Sequence, residues 1–338
     1  MRNVTFPSEW SRHAATWLAW PYDTVSFPDR VAAVEREYVR IIGTLAQSET
    51  VKLVVRPFQR KEIIEKLAAG GVAMQNVELY DADYADVWVR DWGPTYVSIN
   101  GKPGFVKWTY NAYGNRFPEL LKDDAVIDQL PGFEKLARLD AGFVMEGGAI
   151  DTNGDGVIVT TEETLLNINR NAGMSREHIE DRFKDLLGAE KIIWLKKGLL
   201  NDHTDGHVDE VARFVAQDTI LYAWTEKGPN HELMAENLEI LKTSTDSNGK
   251  QFKLIPLPLP TVNYDWDELA PASYCNFYPA NNLVLVPQFG DPNDAVAKEI
   301  IGKAFPGRTV LGVDSTDLLY GGGGLHCITQ QEPDFSQK

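Results

Sequence analysis

The 338-residue sequence has only two cysteines, Cys275 and Cys327, and they form no CxxC pair. A disulfide framework is therefore excluded, and a reduced, cytoplasmic setting is expected. No run of about 18 apolar residues occurs, and Met1 to Trp10 contain no apolar signal core, so neither a membrane span nor an export signal is expected. Positive charge is also scarce. With 33 Lys and Arg against 49 Asp and Glu, the net charge is −16 and the pI about 4.8, which argues against nucleic acid or an anionic membrane as the main partner. The same field favours approach of a small cation.

Glycine, by contrast, is concentrated where it matters. Gly321-Gly322-Gly323-Gly324 precede Leu325-His326-Cys327. Four glycines give up more backbone entropy on folding than other residues and offer no side chains to pack, so such a run implies close approach of something to the backbone. A lone cysteine there reads as a candidate nucleophile, against the alternative of a small buried hydrophobe.

At 43% hydrophobic and 24% charged, the chain can bury a large core. Val31, Val34, Tyr38, Ile41, Ile42 and Leu45 fall at helical spacing, as do Ile179, Phe183, Leu186 and Leu187 between a Ser175 cap and Gly188. Val51 to Val55, Val77 to Tyr80, Lys191 to Leu195, Thr219 to Trp224, Leu283 to Pro287 and Thr309 to Val313 read as strands. The fold class is α/β, and periodicity alone points to a doubly wound sheet. The polar stretch 243–250 reads as a surface loop within one domain rather than a linker.

Four further segments carry chemistry. In Trp88-Val89-Arg90-Asp91-Trp92-Gly93-Pro94, the Gly-Pro stop puts Asp91 at a strand end or loop, where a carboxylate suits a cation; alone it reads as half of a local ion pair. Glu146 precedes Gly147-Gly148 after an apolar run and alone reads as a surface charge. In His203-Thr204-Asp205-Gly206-His207-Val208-Asp209-Glu210, a strand would turn His207 and Asp209 to one face, pairing an imidazole with a carboxylate. The His203 and His207 spacing also admits zinc on a helix, but Gly206 and the lack of HExxH count against it. Asp151 to Glu162 matches a calcium loop literally, yet its strand-like flanks fit a β-hairpin better.

Taken together, Asp91, Glu146, His207, Asp209 and Cys327 resemble the guanidine-modifying (pentein) superfamily, most closely the agmatine deiminases of its peptidyl-arginine deiminase-like branch. The resemblance runs through Ser11 to Pro21, Trp88 to Pro94, Tyr110-Asn111-Ala112-Tyr113-Gly114, Glu146 to Gly148, Asp205 to Asp209, Ala272 to Tyr278, Val286 to Asp291 and Gly321 to Gln331. It implies one domain, residues 1–338, folded as an α/β-propeller of five pseudo-repeats around a substrate channel.

It also implies a hydrolase that converts agmatine to N-carbamoylputrescine and ammonia, as in putrescine biosynthesis. Cys327 would attack the guanidinium carbon, and His207 would move protons. Asp91 and Asp209 would accept the N–H fork, and Glu146 would orient the histidine or the substrate. Trp88, Asp205, Asn276, Gly323 and Gly324 would line the pocket. No cofactor or metal is implied, and a homodimer is the default expectation. Free arginine, peptidyl-arginine, amidino transfer and a calcium-binding module are the alternatives. Arg90, Arg116 and Arg170 are the residues that could serve a substrate carboxylate, and His203 and Trp92 have no assigned role.

Overall fold

A computed structural model describes residues 3–22 and 26–336. Among these residues the strands form five separate sheets of three or four strands each. One doubly wound sheet is thus ruled out. The period-2 and period-3.6 patterns locate strands and helices but carry nothing about which strands pair.

The same local unit recurs in the sheets. Ile150–Thr152 and Val157–Thr161 pair antiparallel, and a helical crossover then returns the chain to Lys191–Leu195, parallel to the second strand. Ala212–Ala216, Thr219–Trp224 and Lys253–Pro258 repeat this order around helix His231–Thr243. Tyr278–Pro279, Leu283–Gln288 and Thr309–Asp314 repeat it around helix Asp294–Ala304. Thr95–Ile99, Lys102–Thr109 and Ala137–Val144 do so with a crossover of 3-10 turns, and Val4–Thr5 adds an edge strand. In the fifth sheet the antiparallel partner comes from the far end of the chain: Gln330–Pro333 pairs with His13–Ala19, which is followed by Thr50–Val55 and Val77–Asp81 in parallel.

Both expected helices form. Val31–Leu45 buries Val34, Tyr38, Ile41, Ile42 and Leu45, the stripe that its spacing prescribes. Arg176–Leu187 is capped by Ser175, whose side chain accepts the His178 N–H; losing such a cap costs about 1 kcal/mol. The 243–250 stretch is a turn closed by a bridge between Thr245 and Gln251. No helix among the described residues is long and apolar enough to cross a membrane.

The calcium-loop pattern is a hairpin tip. Asn153 Oδ1 accepts the N–H groups of Asp155 and Val157. Asp151 turns inward to accept the Phe214 N–H at 2.6 Å, 3.7 Å from Arg213. Glu162 pairs with Lys196 at 2.9 Å and with Arg176. Two of the carboxylates that would hold calcium, Asp151 and Glu162, are thus committed to protein partners.

Candidate active site

The sequence motifs converge from the ends of different elements. Asp91 lies in the short helix Val89–Trp92 rather than at a strand end. His207 and Asp209 are not on a strand: Val208–Glu210 is a single 3-10 turn, and the strand begins only at Ala212. Gly206, with its positive φ, and the N–H acceptor Asp202 Oδ2 bend the chain here, so side-chain proximity comes from a turn and not from pleat alternation. Glu146 is fully buried, so the surface-charge reading fails.

Gly148 is the hub of the group. A Cβ there would lie 2.6 Å from His207 Nδ1 and 2.9 Å from both Asp209 Oδ2 and Asp91 Oδ1. Only glycine leaves that room, and its N–H donates to Asp91 Oδ1 at 3.0 Å. Tyr113 OH donates to the other Asp91 oxygen at 2.8 Å.

The glycine run serves the same purpose. Cβ atoms on Gly321, Gly322, Gly323 and Gly324 would come within 2.6 Å of Phe27, His203, Trp88 and Asn276 respectively. These neighbours occupy the space that the missing side chains leave.

Cys327 is 4% exposed. Its Sγ lies 3.7 Å from Asp209 Oδ2 and accepts the Asn276 Nδ2 hydrogen at 3.3 Å. Burial, followed by the carboxylates of Asp209, Glu210 and Asp91, pushes its thiol well above the usual range.

The His207 ring sits between two carboxylates, with Nδ1 3.7 Å from Asp91 and Nε2 3.7 Å from Glu146. Burial lowers its proton affinity, but Asp91, Glu146 and Asp209 outweigh burial and raise the pKa to about 9. Asp91 is pushed up to about 6, chiefly by burial, with His207 opposing and Asp209 adding to the rise. Burial would also raise Asp209, yet its hydrogen bond from His326 holds it below the usual range.

Two cavities meet at Cys327. The outer one, of about 140 Å³, is bordered by Trp88, Asp91, Tyr113, Phe117, His203 and Tyr320, with the carboxylates of Asp86 and Glu119 also in its wall. The inner recess, of about 10 Å³, is bordered by His207, Asp209 and Glu210. Thr204, Gly322, Gly323 and Cys327 belong to both.

Of the residues expected to line the pocket, Trp88 and Gly323 border the outer cavity, whereas Asn276 acts on Cys327 from outside both. Gly324 packs on Asn276. Asp205 borders neither cavity; it binds Arg116 at 2.5 Å, Arg170 at 2.8 Å and Asn169 at 2.9 Å. Trp92, also without an expected role, is buried, and its Nε1–H donates to the Asp86 carbonyl.

Four residues that build the site escape the sequence reading. Glu210 directly follows Asp209, yet no motif assigns it a role. His326, next to Cys327, bridges Asp209 at 2.7 Å and Glu9 at 2.9 Å. Glu9 is in turn held by Arg90 at 3.0 Å and by Arg213. Adjacency to known motif residues was the available signal for Glu210 and His326. Glu9 and Arg213 offered none.

None of the three arginines considered for a carboxylate borders the outer cavity: Arg90 faces Glu9, Arg170 faces Glu146 and Asp205, and Arg116 binds Asp205 and the His203 carbonyl. For a metal, the donor atoms within 4.8 Å of one another among the described residues belong to Asp209, Glu210 and Cys327. This set includes neither His203 nor His207, the pair behind the zinc alternative.

The profile of the Porphyromonas-type peptidyl-arginine deiminase family matches residues 5–333. A Legionella pneumophila (strain Philadelphia 1) protein provisionally named agmatine deiminase is 37% identical over 332 residues, covering 97% of this chain and 94% of its own. The structure of the Enterococcus faecalis agmatine deiminase aligns with a TM-score of 0.90 at 31% identity, covering 98% of this chain and 96% of its own. A Campylobacter jejuni agmatine deiminase solved with substrate bound aligns at 0.86 and 28%, covering 98% and 97%.

Proposed function

The chain belongs to the Porphyromonas-type peptidyl-arginine deiminase family, and from that premise we propose that it hydrolyses the guanidinium of agmatine to N-carbamoylputrescine and ammonia through a covalent intermediate on Cys327. The observation that carries this reading is a thiol at the junction of two cavities, faced by the carboxylates of Asp91 and Asp209, with no Lys or Arg among the described residues of the outer wall. A planar cation fits carboxylates that take its N–H groups in pairs. Asp86 and Glu119 in that wall suit a terminal amine and would repel an α-carboxylate.

In this reaction, Cys327 thiolate bonds to the guanidinium carbon, and imidazolium His207 gives its proton to the departing ammonia. The carbon keeps its alkyl nitrogen and stays attached to sulfur. Water then adds, His207 takes one of its protons, the C–S bond breaks, and ammonia carries off the second proton as ammonium. Glu146, bonded to Arg170 at 2.7 Å, holds the far side of the imidazole ring.

The fold proposed for this chemistry is a single α/β-propeller of five pseudo-repeats around a substrate channel. Support comes from the unit recurring in five sheets, from the pairing of the two chain ends, and from the likeness to solved agmatine deiminases.

Ammonia release from agmatine, free arginine and a peptidyl-arginine substrate tests the reading. Release confined to agmatine is the expected result. Release from arginine alone would move the substrate, and no release from any of the three would sink the hydrolase reading.

The pH dependence follows from the titrations. In the free enzyme Asp91 must be ionised, and the Cys327 proton must be lost while His207 keeps its own. We expect kcat/KM to climb steeply below about pH 6, less steeply above it, and to peak no lower than about pH 9, where His207 begins to lose the proton that ammonia needs. A maximum near pH 6 would contradict this protonation scheme.

A further inference from the structure

The reaction just described leaves open where its water comes from, and it leaves Glu210 without a task. This inference rests on the deiminase reading. Once ammonia has left, the alkyl chain is still bonded to the trapped carbon and still fills the outer cavity, so bulk water cannot reach the carbon by the route that the substrate took.

The inner recess is of the right size and chemistry to hold water. At about 10 Å³ it matches about one water molecule, and a buried water needs two to four polar partners. Asp202, Thr204, His207, Asp209 and Glu210 all border it. Glu210 is 7% exposed; its Oε1 accepts the Asn276 Nδ2 hydrogen at 2.7 Å, while Oε2 is buried with no hydrogen-bond partner among the described residues. Both His207 ring nitrogens are likewise buried without a hydrogen bond among the described residues, each 3.7 Å from a carboxylate oxygen. His207 borders the recess and not the outer cavity, so the proton carrier faces the side from which a trapped water would come.

We propose that the recess is the site of the hydrolytic water, which takes the place that departing ammonia vacates there and is held by Glu210 against the carbon on Cys327. The exchange is balanced: the water oxygen bonds to the amidino carbon, one water proton passes to the neutral His207 left by the first step, the C–S electron pair returns to Cys327, and the second water proton leaves with ammonia as ammonium. Glu210 only holds the water. Burial, with Asp209 and Asp202 adding to it, keeps its carboxyl well above the ordinary range, and a neutral carboxyl offers both an O–H donor and an acceptor.

Glu210→Leu should separate the half-reactions. With agmatine, quenched-flow assays should give a burst of about one ammonia per active site followed by turnover slowed by roughly 10²-fold, the scale for losing the group that positions a reactant. Mass spectrometry should find substrate minus ammonia on Cys327. Glu210→Gln, which keeps a hydrogen-bonding group in place, should accumulate less adduct. Unchanged turnover in Glu210→Leu, or slow turnover with no burst and no adduct, would overturn the proposal.

The wild-type enzyme gives a second reading that does not depend on how any variant folds. Hydroxylamine, larger than water by one heavy atom, should not divert product to the N-hydroxyguanidine, whereas diversion in proportion to its concentration would mean that the nucleophile arrives from bulk solvent. A wild-type enzyme that releases no ammonia from agmatine would instead defeat the deiminase reading on which this rests.

Discussion

Cys327→Ser leaves the protein folded and reduces ammonia release from agmatine on the order of 10⁴-fold or more, the scale expected when a covalent nucleophile is removed. Oxygen for sulfur barely changes the packing of a buried side chain, so Asn276 Nδ2 and the neighbouring glycines keep their places. The chemistry changes because a hydroxyl has a far higher pKa than a thiol, and Asp209, Glu210 and Asp91 already resist a negative charge there. The same carboxylates should bind the guanidinium, so the variant should still take up agmatine. Calorimetry with Cys327→Ser is the check: binding retained with turnover lost fits a nucleophile, whereas binding lost together with turnover would make Cys327 a packing residue. Thiolate formation carries a related expectation. The bound guanidinium offsets the carboxylates that hold the thiol proton, so ultraviolet titration of thiolate should shift to lower pH when a non-reacting guanidinium ligand is present. An unchanged titration would place thiolate formation elsewhere in the cycle.

How far the sequence reveals this site depends on the kind of interaction. Helices 31–45 and 176–187 and most strands follow from periodicity and capping, since these patterns report directly on which face is buried. The five sheets do not follow from it. Their pairing joins Gln330 to Trp17 and Ile99 to Val4, and no local pattern encodes such contacts. Asp91, Glu146, His207, Asp209 and Cys327 are legible only as a resemblance, and the structure brings Asp91, His207 and Asp209 around Gly148, with Asp209 beside Cys327, by turns rather than by strand alternation. His207 and Asp209 illustrate the gap. The sequence points to both residues but to a strand for their geometry, because the turn around Gly206 is fixed by Asp202 hydrogen bonds that spacing does not announce. The Glu9 and Arg213 layer behind Asp209 was illegible, because buried ion pairs join residues 204 positions apart.

Arg170→Met is expected to cost about 3–5 kcal/mol of stability, the usual penalty for breaking a buried pair by removing one partner. Arg170 is fully buried and its Nε donates to Glu146 Oε1 at 2.7 Å, while Nη1 donates to Asp205 at 2.8 Å. Without it, Glu146 keeps a charge that burial opposes and that only His207 then offsets. The double variant Glu146→Gln with Arg170→Met removes both charges, and Asp205 still has Arg116 and Asn169. Its urea midpoint should therefore recover most of the loss. Activity should not recover with it. Glu146 Oε2 faces His207 Nε2, and its carboxylate helps raise the imidazole to about 9, so replacing it lets His207 lose its proton at lower pH. The activity maximum of the double variant should move toward acid. Stability restored together with wild-type activity and an unmoved pH maximum would reduce the Glu146 and Arg170 pair to a structural brace, with no part in setting the proton affinity of His207.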